Sequence, residues 1–368
     1  MFQAFEEWSR AIRFGRGWMT GRFAIDEVET VVDRGVDTVP GTLFLPRTRG
    51  RALPGWVVLH GITRPGRAHP QLLRFARSLA NSPAVVLVPE IPEWRELALA
   101  PDSAVPTIKA AVLALDARPE TAPGRTGLLG FSFGAPQAIV ASTDPVLDGH
   151  LAGVVGFGGY CDMERTVRFQ FTGRHEWKGR QHVLAPDPYG RWVVGANYLT
   201  QVPGLENAGE VQQALWRLAA EAGDRGIPAA SPVYDELKDA ERQGIPRRHR
   251  DLYDLFAPPA GRLGDAEAAE PIAVGLAAAA RRASPAVDPR PYLERVRLPV
   301  RLIHGLQDEL IPFTETLRFA ESFPPGADVS AFVTGLFAHS RPGGTSRLRF
   351  AGEAVRFLDG FRRAMSPV

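Results

Sequence analysis

At 368 residues, 45% of them apolar and 23% charged, the chain has the make-up of a water-soluble globular protein with room for one large domain or two. A net charge of +2, from 43 basic against 41 acidic residues, gives no reason to expect nucleic acid or a membrane as a partner. The single cysteine, Cys161, rules out an intrachain disulfide and fits a reducing compartment.

The opening stretch lacks the positive segment and apolar core of a secretory leader. No run nears the ~18 apolar residues of a spanning helix, so a cytoplasmic location is the expectation. Within residues 2–14, Phe2, Phe5, Trp8 and Ile12 recur at helical spacing. They predict a short amphipathic helix packed on the body, in preference to a membrane-surface or partner helix. Stretches 27–32 and 38–45 alternate and are rich in β-branched residues, with Gly35 between them, which predicts an antiparallel hairpin. Residues 56–61 (WVVLHG) form an apolar run of buried-strand type, followed by a loop and a helix over 71–80. Further strands are predicted at 84–88, 126–131 and 151–157, with a helix over 104–115. Strands alternating with helices imply an α/β protein with a mostly parallel central sheet flanked by helices.

The alternation stops after Tyr160. Residues 161–296 read as helical or irregular, with helices over 192–200, 210–222, 233–243 and 265–282. It resumes with a strand at 300–304, a helix from about Pro312, a strand at 327–333 and a closing helix over 347–363. The domain reading is therefore a core of 1–160 and 297–368 carrying an inserted helical cap, 161–296.

Gly130-Phe131-Ser132-Phe133-Gly134 lies where the predicted strand at 126–131 meets a helix. A strand turning sharply into a helix forces its middle residue into strained backbone angles, and glycines two residues to either side keep β-carbons out of the turn. The serine hydroxyl then stands above the sheet at a helix N-terminus, which favours developing negative charge. A serine hydroxyl needs a base, an acid to orient that base, and donors for an oxyanion. Asp308, four residues beyond the 300–304 strand, is the candidate acid; a helix N-cap is its structural alternative. His339, on the loop between the last strand and the last helix, is the candidate base. The backbone N–H groups of Phe133 and Ile62 are the candidate oxyanion donors, with Thr63 and Tyr160 as candidate substrate contacts. His60 reads as structural.

With Gly130-x-Ser132-x-Gly134, Gly305-x-x-Asp308 and His339 each after its own predicted strand, in the order Ser, Asp, His, the chain resembles the α/β-hydrolase superfamily. It is similar to the dienelactone-hydrolase-like and acyl-peptidase-like branches. The resemblance implies an α/β-hydrolase fold with Ser132 as nucleophile, His339 as general base and acid, and Asp308 as the orienting acid. His60-Gly61-Ile62-Thr63 departs from the HGGG run of one lipase and esterase branch, and serine departs from the cysteine of dienelactone hydrolases. The implied activity is that of a serine esterase acting on a small-molecule ester or acyl substrate, without metal or cofactor. A peptidase, amidase or thioesterase with the same triad, and a non-catalytic binding protein on this fold, are the alternatives. No GxxxxGK[ST], HExxH or CxxC pattern supports another chemistry. His175 and His182 are not read as a metal pair.

Overall fold

The structure is a computed structural model that describes residues 2–48, 52–337 and 347–368. The chain begins with helix α1 (Phe2–Thr20), then strands β1 (Ile25–Asp33), β2 (Thr38–Pro46) and β3 (Leu53–Leu59), helix α2 (Pro70–Asn81) and strand β4 (Val85–Pro89). A one-turn helix α3 (Pro92–Arg95), helix α4 (Pro101–Asp116), strand β5 (Thr121–Phe131), helix α5 (Gly134–Ala141) and strand β6 (Leu151–Phe157) complete the first part. The insertion holds α6 (Met163–Thr172), β7 (Arg174–Trp177), β8 (Arg180–Val183), α7 (Tyr189–Tyr198), α8 (Gly209–Arg225), α9 (Asp235–Gly244), α10 (Arg247–Phe256) and α11 (Ala266–Ala283). The core resumes with β9 (Val300–Gly305), α12 (Phe313–Glu321), β10 (Val329–Thr334) and α13 (Arg347–Met365).

Eight strands form one sheet in the order β1-β2-β4-β3-β5-β6-β9-β10. The β1/β2 and β2/β4 pairs are antiparallel; every later pair is parallel. The apolar runs read from the sequence are the central strands, and their side chains divide by alternation. Val57, Leu59 and Leu128 face a core shared with α4, α5 and the insertion. Trp56, Val58 and Leu129 face a second core built with α1, α2 and α13.

Two expectations are corrected. The first concerns α1. It runs to Thr20, and Ala11, Phe14 and Gly17 are buried, whereas Phe5 and Ile12 point outward. Phe14 wins the inner face because it fits between Phe75 and Phe361, with ring centroids 5.2 and 3.9 Å away. The second concerns the insertion, which is not all helix: β7 and β8 pair as a hairpin. Lys178 and Gly179, at φ 49° and 80°, form its tight turn. Charged residues on these short strands hide any alternation. In α13 Val355 is exposed, while Phe361 is buried.

The insertion begins and ends at one knot of charges. Asp162 accepts from Arg165 and pairs with Arg290, and Asp288 pairs with Arg281 and Arg290. Buried Glu315 of α12 accepts from the Cys161 and Asp162 amides at 3.1 and 2.9 Å and from Arg165 at 2.7 Å. Of the insertion's large aromatics, Phe169, Phe171, Trp192 and Phe256 pack in its interior. Trp216 is part-exposed, and its Nε1–H donates to the Glu96 carbonyl. No described helix is long and apolar enough to cross a membrane.

Candidate active site

Ser132 follows the last residue of β5 and has φ of 53°, one of three described non-glycine residues at positive φ. A left-handed angle costs a serine about 1–3 kcal/mol and persists only where the surroundings impose it. The imposition is steric and visible. A Cβ on Gly130 would lie 2.0 Å from the Gly134 carbonyl oxygen, and one on Gly134 would lie 2.8 Å from the His60 carbonyl oxygen. The Ser132 amide donates to Phe157 of β6 at 2.8 Å, and its carbonyl accepts from Ala135 at 3.0 Å, so the turn is tied to the neighbouring strand and to α5.

The loop after β3 reaches the same point, because β3 and β5 pair in parallel with Leu59 opposite Gly130. A Cβ on Gly61 would stand 3.1 Å from Ser132 Cβ and 3.6 Å from its Oγ. The Ile62 and Phe133 backbones therefore flank the serine. Among the described residues neither amide N–H donates a hydrogen bond. His60 is buried and structural in position: its Nδ1–H donates to Gly61 O at 2.7 Å, and its Nε2 accepts from the Ile91 amide at 3.1 Å. Trp94 meets His60 and Phe133 edge-on, with centroids 5.4 and 5.5 Å away, and forms the floor under this loop.

Asp308 is buried after β9. Its Oδ1 accepts from the Leu310 and Ile311 amides, both at 2.9 Å, so a turn before α12 fixes the plane of the carboxylate. Its Oδ2 lies 3.2 Å from His304 Nε2. That nitrogen faces the Ile311 carbonyl at 2.9 Å, an acceptor only, so it carries the hydrogen, and Nδ1 accepts from the Thr316 hydroxyl. His304 thus braces the acid, a role its position at a strand end did not announce. The Pro312 expected in the first turn of α12 is instead its N-cap. His339, the candidate base, lies outside the described residues.

The insertion leans on three loops that leave the carboxyl ends of the strands. Tyr189 of α7 donates its hydroxyl to the Ile62 carbonyl at 3.2 Å. Arg64 pairs with Asp224 of α8 at 3.1 Å and with Glu96 at 3.0 Å. Asn197 donates to the Leu97 carbonyl, and the Asp187 amide donates to the Glu309 carbonyl. None of these partners carries a local sequence signal, because each depends on where a distant helix lands. Thr63 is half-buried beside Ile62. Tyr160 is buried, its ring tilted 6.3 Å from Phe133, and its hydroxyl donates to the Val287 carbonyl at 2.6 Å. Burial first, then Tyr198 and Asp288, raises the Tyr160 phenol well above its ordinary value, and burial followed by Asp187 raises Tyr189, so both remain donors.

No protein-family model matches this chain, and no curated protein sequence matches it. Solved structures do. Acylaminoacyl peptidase from Pyrococcus horikoshii is similar at 14% identity and a TM-score of 0.50, over 95% of this chain and 44% of that one. This chain thus spans less than half the length of that peptidase. Est1E from Butyrivibrio proteoclasticus is 13% identical over 91% of this chain and 99% of its own, with a TM-score of 0.47. A dienelactone hydrolase from Anabaena variabilis is also 13% identical, over 93% and 97%, with a TM-score of 0.47. The sheet order, the strained serine between β5 and α5, and the path shared with the peptidase show that this chain has the α/β-hydrolase fold.

Proposed function

We propose that the protein is a serine hydrolase that cleaves carboxylic esters of small or medium size through an acyl-enzyme. The observation that carries this reading is the left-handed Ser132, wedged between Gly130 and Gly134 with the Gly61 backbone against it. Strain at one serine, beside two N–H groups that donate to nothing among the described residues, is what nucleophilic catalysis requires and a packing role does not.

In this reading Ser132 Oγ attacks the acyl carbon while His339 takes the hydroxyl proton. The Ile62 and Phe133 amides receive the oxyanion. His339 returns the proton to the leaving alkoxide, and the carbonyl reforms as the acyl-enzyme. Water then attacks that ester, with His339 again taking a proton, and Ser132 recovers its own as the acid leaves. Asp308 orients His339 and stabilises its imidazolium. The insertion, residues 161–296, acts as a cap that bounds the substrate, with Thr63 at the rim and the Tyr160 ring, rather than its hydroxyl, beneath it.

The test is fluorophosphonate labelling together with turnover of p-nitrophenyl esters of several acyl lengths. Ser132→Ala should abolish labelling and lower turnover by several orders of magnitude. Retained labelling or normal turnover in that variant would remove the assignment, and a clear preference for peptide amides would move it to a peptidase.

A further inference from the structure

The face of α1 that the sequence predicts to be packed is the one left open. Phe5, Trp8, Ile12 and Met19, spaced by three, four and seven residues, lie along one side of the helix. They are 76%, 36%, 57% and 65% exposed, whereas Ala11 and Phe14 on the inner side are 1% and 2% exposed. Helix α13 packs beside α1, with Leu358 against Gly15, and one turn away it adds Val355, 61% exposed. The apolar stripe on α1 therefore runs from Phe5 to Met19, about 21 Å along the helix.

The charge left unpaired around it has one sign. Arg13, Arg16 and Arg22 are exposed, and none of their guanidinium groups is ion-paired among the described residues. The nearby carboxylates are already engaged, Glu6 with Arg10 and Glu7 with Arg362. A second copy of this chain meeting the stripe would bring the same uncompensated cations against their own kind. A surface of anionic headgroups above an apolar layer satisfies both features at once.

We propose that α1 lies in the plane of an anionic lipid bilayer, with Phe5, Ile12 and Met19 in the headgroup–acyl boundary and Arg13, Arg16 and Arg22 on phosphates. This goes beyond the absence of a membrane partner expected from the overall charge, since +2 is an average over a chain whose cations are unevenly neutralised. It needs no spanning helix and is independent of the chemistry at Ser132.

The experiment is sedimentation of the full chain with vesicles of phosphatidylcholine containing about a quarter phosphatidylglycerol, against phosphatidylcholine alone. The protein should pellet with the anionic vesicles and bind them about tenfold more weakly at high salt. Phe5→Ser/Ile12→Ser/Met19→Ser should lose binding about tenfold or more, with ester turnover in solution unchanged as evidence of folding. Arg13→Ser/Arg16→Ser/Arg22→Ser, which leaves the apolar residues in place, should lose the preference for anionic vesicles. Failure of the unaltered protein to pellet, or equal pelleting of the serine variants, overturns the proposal. So does a solution dimer that the first variant converts to monomer, which would assign the stripe to a second copy.

Discussion

The hydroxyl of Tyr189, on helix α7 of the insertion, donates to the carbonyl oxygen of Ile62 on the loop beside the nucleophile, at 3.2 Å. Holding this carbonyl fixes the peptide plane between Ile62 and Thr63 and so restrains the backbone that carries the Ile62 N–H. The loop is held a second time at Arg64, which pairs with Asp224 of α8. Tyr189→Phe keeps the ring and its packing and removes only the donor. The expected result is a fall in kcat of about tenfold, smaller than loss of an oxyanion donor itself, with KM nearly unchanged. Steady-state kinetics on a p-nitrophenyl ester gives the answer; a change confined to KM would mean that Tyr189 serves binding instead.

Gly130 faces the backbone of Gly134 so closely that a methyl group there would lie 2.0 Å from its carbonyl oxygen and 2.3 Å from the carbonyl carbon. Neither atom belongs to a flexible side chain. Gly130→Ala should cost about 1–3 kcal/mol of stability and displace Ser132, so that fluorophosphonate labelling drops sharply. Gly209→Ala is the control, because no atom lies within 4 Å of its added methyl group. Thermal melts and labelling of both variants should separate them. Equal melting points and equal labelling would show that the turn does not need its glycine.

The hairpin of the insertion is expected to loosen in acid. His175 stacks on His182 at 5.0 Å and meets Phe313 and Phe169 edge-on, with its Nδ1 3.1 Å from the Thr314 hydroxyl. Burial first, then the imidazoles of His182 and His304, lowers its pKa from 6.5 to about 4. The unfolded chain therefore takes up this proton at a higher pH than the folded one. The stability gained by keeping the ring neutral is complete above about 6.5 and is lost as pH falls towards about 4. Urea midpoints measured at the two ends of that window should differ more for the unaltered protein than for His175→Gln. Identical differences would place the acid sensitivity elsewhere.

Some of this molecule could be read from residue order alone. The runs WVVL and AVVLV, bounded by glycine and proline, became β3 and β4, and LAGVVGF became β6 without a residue's shift. Apolar runs of that kind are legible because a strand buried on both faces admits little else. The turn at Ser132 was legible for a partly local reason, since Gly130 answers to the backbone of Gly134 just beyond the serine, whereas Gly134 answers to His60 on the loop after β3. The β7/β8 hairpin was missed, although Lys178-Gly179 is a turn signal, because its short strands are charged. The orientation of α1 was misread: spacing marks an apolar stripe but does not say which side meets the body, and Phe14 alone found a fitting socket.

What residue order determined is therefore the short-range part: strand and helix succession, the elbow, and the residue types available for hydrolysis. Tertiary structure decided which helix of the insertion holds the Ile62 carbonyl, that His304 braces Asp308, and which face of α1 remains open. Those outcomes depend on contacts between segments far apart in the chain. Such contacts are fixed by packing, and packing has no period along the sequence to betray it.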